Sequence, residues 1–93
     1  MPRKEEPQLG LSRAIRHFRR KSELSQEALA FAAGLHPTSI SHLESGRVNP
    51  TWGNVRRVAH GLGVPLADLA QFAEELELRL GTAPQPGQGA GGR

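Results

Sequence analysis

The chain has 93 residues, no cysteine and a formal net charge of +3, and this length is that of one small domain. The absence of cysteine excludes disulfides and thiolate metal sites. The longest apolar run, residues 28–35, is too short to span a bilayer, and no signal-peptide pattern follows the charged N-terminus. We therefore expect a soluble, cytoplasmic protein.

The charge is distributed unevenly along the chain. Residues 9–60 hold eight lysines and arginines against three acidic residues, a net charge of +5. Residues 61–80 hold four acidic residues against one arginine, a net charge of −3. The first segment would attract a polyanion such as nucleic acid and the second would repel it. Chance clustering on a solvated surface is the alternative.

Both ends of the chain are predicted to be disordered. Residues 1–8 contain two prolines and four charged residues, and residues 81–93 form a Gly/Pro/Gln tail without a large apolar side chain. The sequence thus predicts a disordered arm over 1–8, one folded domain over 9–80 and a disordered tail over 81–93.

Five helices and no strand are predicted for the folded part, so the fold class is all-α. Apolar residues recur there at helical spacing, and glycine or proline interrupts the pattern at short intervals. In chain order the predicted helices cover about residues 9–21, 26–33, 37–45, 52–62 and 66–80.

The first three helices have recognisable faces or ends. Helix 1 has inward residues at helical spacing, namely Leu11, Ala14, Ile15 and Phe18. Helix 2 is expected to start at the N-cap Ser25 and end at Gly34. Its predicted inward residues are Ala28, Leu29 and Ala32. Helix 3 starts with Pro37, a favoured first residue, although His36 is expected to be a poor N-cap.

Helices 4 and 5 complete the predicted core. Thr51 is the expected N-cap of helix 4, whose inward residues are Trp52, Val55, Val58, Ala59 and Leu62. The apolar residues of helix 5 are Leu66, Leu69, Phe72, Ala73, Leu76 and Leu80.

Helices 2 and 3 are short and are joined by only three residues, 34–36, which indicates a helix-turn-helix. The surrounding residues 24–69 carry a wider pattern. Its main pieces are Leu24-Ser25-Gln26-Glu27, Leu29-Ala30, Ala33-Gly34-Leu35, Ile40-Ser41, Leu43-Glu44, Gly46, Asn49-Pro50 and Leu62-Gly63-Val64. This pattern resembles the Cro/C1-type helix-turn-helix family of bacterial and phage DNA-binding regulators, the XRE family. The resemblance implies a five-helix, lambda-repressor-like DNA-binding domain.

The resemblance also implies that helix 3 is the recognition helix in the DNA major groove. Helical geometry agrees, because Leu43 and Glu44 lie within about 60° of Ile40 at roughly 100° per residue. The candidates for base readout are Pro37, Thr38, Ser41 and His42. None of them is an arginine, asparagine or glutamine suited to bidentate base contacts, so readout of DNA shape is expected to contribute to specificity.

Further site residues are implied by the same resemblance. The candidates for DNA phosphate contacts are Ser25, Gln26, Ser45, Arg47 and Asn49. Arg19 and Glu44 match a family ion pair that would fix helix 3 on helix 1. The alternative for each of these residues is an ordinary helix-end or surface side chain.

A homodimer is predicted through helix 5, with Phe72, Ala73, Leu76 and Leu80 as its seam. The spacing of its apolar residues is heptad-like but covers barely two heptads. Packing of the whole stripe on helices 1 and 4 is the alternative, and it fits Leu76 and Leu80 less well because they lie far along the helix.

We therefore expect a transcriptional regulator, specifically a repressor that binds an inverted-repeat operator as a dimer. The alternatives are an antitoxin that covers a toxin partner and binds its own promoter, and an adaptor without DNA binding. No catalytic constellation, zinc spacing or phosphate-binding loop is recognisable, so neither an enzyme nor a cofactor or metal site is predicted.

Overall fold

The computed structural model describes residues 8–81, which form five α-helices and contain no strand. The helices are α1 (Leu9–Lys21), α2 (Gln26–Ala33), α3 (Pro37–Ser45), α4 (Trp52–Leu62) and α5 (Leu66–Leu80). The predicted all-α, five-helix fold class is confirmed. The predicted arm and tail lie outside the described residues, except for residues 8 and 81. No helix in the described part of the chain combines the length and apolarity needed to cross a membrane.

Each helix contributes one large, fully buried aliphatic side chain to a single core. These residues are Ile15, Leu29, Ile40, Val58 and Leu69. α1 lies along α5 and also contacts α3, whereas α2 contacts α3 and α4. The core therefore sits between the α1–α5 pair and the α2–α4 pair, and it supports the inner face of α3.

Side-chain hydrogen bonds cap the N-termini of α2, α3 and α4. Ser25 Oγ accepts from Ala28 N at 2.9 Å, and Thr51 Oγ1 accepts from Asn54 N at 3.1 Å. The prediction that His36 caps α3 poorly is wrong, because His36 Nδ1 accepts from Thr38 N at 3.1 Å. A neutral imidazole nitrogen has a lone pair in this position and replaces the usual side-chain oxygen.

The turn between α2 and α3 depends on a left-handed residue. Gly34 has φ 71°, a conformation that is costly for residues with a Cβ. This geometry lets Leu35 N donate to Ala30 O at 2.9 Å and closes the end of α2. The sharp turn sets α3 at an angle to α2.

The N-terminus of α1 is held by α5 instead of by its own cap. Gln8 makes no side-chain cap bond, and the first turn of α1 has no acidic residue. Gly10 N instead donates to Glu77 Oε2 at 2.6 Å. A Cβ at residue 10 would collide with the carbonyl oxygen of Ala73, so glycine permits this close helix crossing.

Two predictions of inward residues are wrong. Ala32 is exposed, and Ala30 and Ala33 are buried in its place. The buried stripe of α2 is centred between Leu29 and Ala33, about 100° from Ala32. Trp52 is 65% exposed because it is the first residue of α4, where side chains lean toward the helix N-terminus and away from the core.

Candidate nucleic-acid interface

One face of α3 packs in the core and the other is open to solvent. Ile40, Leu43 and Glu44 form the buried face. All four predicted base-readout residues are exposed: Pro37, Thr38, Ser41 and His42. The exposed face therefore consists of small polar groups, one imidazole and one proline, which offer short-range hydrogen bonds and methyl contacts.

A buried carboxylate fixes the orientation of this face. The Glu44 side chain is only 2% exposed. Arg19 donates to it from both Nε and Nη2, the latter at 2.9 Å from Oε1. Arg19 Nη1 also donates to Leu24 O at 2.8 Å. The predicted partners Arg19 and Glu44 are thus brought together in a two-pronged ion pair that joins α3 to α1.

The environment of Arg19 favours its charged form. The hydrogen bond to Glu44 raises the pKa of Arg19 above its usual high value, although partial burial acts in the opposite direction. Charge attraction from Glu44 and Glu27 adds to the increase in pKa. The guanidinium is therefore a permanent cation, and the ion pair is a constant part of the fold.

Gln26 joins the same carboxylate from α2. Gln26 Nε2 donates to Glu44 Oε1 at 3.1 Å, so Glu44 connects α1, α2 and α3. This bond uses one amide hydrogen, and the amide oxygen and the second hydrogen are still available to a ligand. Ser25, the neighbouring N-cap, is exposed and uses its oxygen as an acceptor within α2.

The other predicted phosphate residues lie at the end of α3 and in the loop after it. Ser45 Oγ donates to His42 O at 2.7 Å and accepts from Arg47 N at 3.3 Å, so its hydroxyl orders the turn in this conformation. Arg47 and Asn49 are exposed. Ser25 and Gln26 thus lie at the start of α2. Ser45 is the last residue of α3, and Arg47 and Asn49 lie in the loop after it.

Comparison with known proteins identifies this arrangement. The family model described as "Helix-turn-helix domain" matches residues 10–72. This range includes α1 without Leu9, all of α2, α3 and α4, and the first half of α5. The chain belongs to the helix-turn-helix domain family. The predicted family is confirmed, and its members are DNA-binding regulators and not enzymes.

Individual relatives are named as control, controller or regulator proteins. The control protein C.BamHI of Bacillus amyloliquefaciens is 44% identical over 52 residues, which are 56% of this chain and 64% of that protein. The crystal structure of the restriction-modification controller protein C.AhdI from Aeromonas hydrophila has 29% identity and a TM-score of 0.65, covering 67% of this chain and 94% of that chain. The clp gene regulator ClgR from Corynebacterium glutamicum has 26% identity and a TM-score of 0.76, covering 85% of this chain and 84% of that chain.

The predicted seam of this helix-turn-helix protein packs largely within the chain. Ala73 is buried in the core, and Phe72 and Leu76 pack against it. The Phe72 ring also stacks on His17, with ring centroids 4.5 Å apart. Leu76 is half-buried because α1 covers that part of α5. Leu80 is half-buried, and the seam itself stays a prediction.

Sequence reasoning missed two features of the domain surface. Phe31 on α2 is 91% exposed, and its position outside the stripe of buried α2 residues was the signal for this. Arg16 Nε lies 3.8 Å from Glu44 Oε1, beside the bond from Gln26. Its position three residues before Arg19, nearly one helical turn, was the signal that it also faces α3.

Proposed function

We propose that this protein is a sequence-specific regulator of transcription that places α3 in the major groove of double-stranded DNA. The observation that carries the proposal is the exposed polar face of α3, held in one orientation by the buried Glu44 carboxylate. A rigidly held helix with short polar side chains can approach base edges closely. The regulatory relatives support the same role.

In this proposal, contacts with DNA are divided between two sets of residues. Thr38, Ser41 and His42 read base edges, with Pro37 at the groove entrance. The phosphate contacts come from the helix ends and the following loop, through Ser25, Gln26, Ser45, Arg47 and Asn49. Phosphate contacts set position and affinity, whereas base contacts set sequence preference.

Selection of a preferred duplex from random DNA, followed by variant binding, tests this division. His42→Ala should weaken binding to the selected site by about 1–3 kcal/mol more than binding to random DNA, the range expected for a base contact. Gln26→Ala should weaken both about equally. His60 is an exposed histidine on α4, and His60→Ala is the matched control. It should change neither the affinity for the selected site nor the affinity for random DNA. If purified protein selects no sequence, the proposal is wrong.

We further propose that the protein binds as a homodimer to an inverted repeat. Twofold symmetry would place the two copies of α3 roughly 34 Å apart, one DNA turn. The half-buried Leu80 near the end of α5 supports a contact there, and the acidic residues of α5 would keep this end away from DNA. Light scattering should report two chains. Leu80→Glu should give a folded monomer, whereas Leu78→Glu, on the opposite side of α5, should stay dimeric.

Repression is the regulatory outcome that we propose, through occlusion of a promoter by the bound dimer. The names of the relatives support regulation without stating its direction. Transcription in vitro from a promoter that contains the selected site should fall as protein is added, and an increase would contradict repression. The antitoxin alternative stays a prediction, which copurification with a small partner protein would support.

A further inference from the structure

The solvent face of α1 carries a row of cations that the proposed DNA contacts do not use. Five residues line one shallow groove there: Arg13, Arg16, His17, Arg20 and Lys21. Their spacing of three and four residues places them on one side of the helix. We name the four permanently charged members, Arg13, Arg16, Arg20 and Lys21, the α1 basic strip.

The charge of this strip is mostly uncompensated. Among residues 8–81, only Arg16 of the strip lies within 4.0 Å of a carboxylate oxygen, at 3.8 Å from Glu44 Oε1. Like charges three and four residues apart destabilise a helix. A surface that places several cations side by side is therefore suited to a ligand with regularly spaced negative charges.

The position of the strip shows which ligand it fits. The Glu44 oxygen next to Arg16 is the one that accepts from Gln26 Nε2 at 3.1 Å. Arg16 and Gln26 thus meet around one oxygen atom, at the N-terminus of α2. The α1 basic strip is continuous with the surface that we propose to bind DNA phosphate.

We propose that the α1 basic strip is a second phosphate-binding surface that follows the DNA backbone away from Gln26. This inference rests on the proposed DNA-binding function. Arg13 and Arg20 are seven residues apart, which is about 10 Å along a helix, and one DNA strand carries roughly three phosphates per 10 Å of the DNA axis. The strip adds affinity and salt dependence without sequence preference, because it contacts no base edge.

Neutralising substitutions in the strip test the proposal. The variants are Arg13→Gln, Arg20→Gln and the double variant, which keep long, helix-compatible side chains. Arg79→Gln is the matched control, an exposed arginine on the acidic helix α5. Binding to a mixed-sequence duplex of about three helical turns is measured over a series of salt concentrations. Melting curves check that each variant folds, and light scattering reports its oligomeric state.

Each strip variant should reduce the slope of log K against log salt by roughly 0.9, and the double variant by about twice that. A fourfold rise in salt should then weaken the double variant about tenfold less than it weakens wild type. Sequence preference should not change, and Arg79→Gln should behave as wild type. The melting temperature of the strip variants should be unchanged or higher, because helix repulsion is reduced.

Two results would overturn the inference while the proposed function stands. The first is that folded strip variants keep the wild-type slope of log K against log salt and still select the preferred site. The second is an unchanged salt slope in strip variants that have become monomeric. That result would mean that the strip contacts the acidic face of a second copy instead of DNA. Wild-type protein that binds no DNA at low salt would overturn both proposals.

Discussion

Replacing Arg19 tests how strongly the buried ion pair holds α3 on α1. Arg19→Met keeps the apolar stem but leaves the Glu44 carboxylate, 2% exposed, with Gln26 at 3.1 Å and Arg16 at 3.8 Å. Removing one partner of a buried pair costs about 3–5 kcal/mol. Because Arg16 retains some attraction, we expect the lower end, about 3 kcal/mol, which is roughly 12–24 °C in melting temperature for a domain of this size.

Replacing Glu44, the other partner, should reduce the free energy of unfolding by less. Glu44→Gln leaves the Arg19 charge without its carboxylate partner, but the Arg19 side chain is 12% exposed and can bind water. The new amide oxygen still accepts one hydrogen bond. We expect about 2 kcal/mol. The double variant Arg19→Met with Glu44→Leu should be more stable than Arg19→Met alone, because no buried charge then lacks its partner.

Urea unfolding followed by circular dichroism measures these differences. Arg20→Met, the next residue but exposed, is the matched control and should stay within about 0.5 kcal/mol of wild type. The Arg19 contribution is fully present below the pKa of the unfolded arginine and is lost only as pH rises through the raised folded pKa. The effect should therefore be constant across neutral pH. If Arg19→Met melts like Arg20→Met, the ion pair does not stabilise the fold.

Four further substitutions test other parts of the domain, each by thermal melting. Gly10→Ala should lose about 1–3 kcal/mol, since its Cβ meets a backbone oxygen of α5. Gly53→Ala should gain about 0.5–1 kcal/mol, because the atom nearest to its new Cβ is 3.9 Å away. Equal effects of Gly10→Ala and Gly53→Ala would contradict the close approach of α1 and α5 at Gly10. His36→Ala should lose about 1 kcal/mol through loss of the α3 cap, and no change would show that the imidazole does not cap. Phe31→Lys should stay within about 0.5 kcal/mol of wild type because the ring is 91% exposed, whereas a larger loss would place that ring in a contact.

The helix positions could be predicted from sequence because local residues specify them. Ser25 and Thr51 cap α2 and α4, Pro37 begins α3, and Gly34 ends α2 through a left-handed residue. These signals act within a few residues of the chain. The exposed face of α3 was predictable for the same reason. Once Ile40 is placed in the core, helical geometry determines which side of this short helix faces solvent.

The resemblance implied the Arg19–Glu44 pair, but the other contacts between helices were harder to predict because they join distant residues. The bond from Gly10 N to Glu77 spans 67 positions, and the bond from Gln26 to Glu44 spans 18. Neither leaves a periodic pattern in the sequence. Trp52 was assigned to the core because helical spacing does not show where a helix leaves the core. Such features depend on how complete helices are placed against each other.

The separation of the two faces of α3 has a consequence for the evolution of this protein. Thr38, Ser41 and His42 are exposed, and the fold depends on the opposite face through Ile40 and Glu44. Substitutions on the outer face should therefore cost little stability. Under the proposed function, they should also change which DNA sequence is preferred. Duplicated copies of such a gene could diverge toward new operators by a few mutations. A library randomised at the three outer positions should contain mostly folded proteins with different preferred sites.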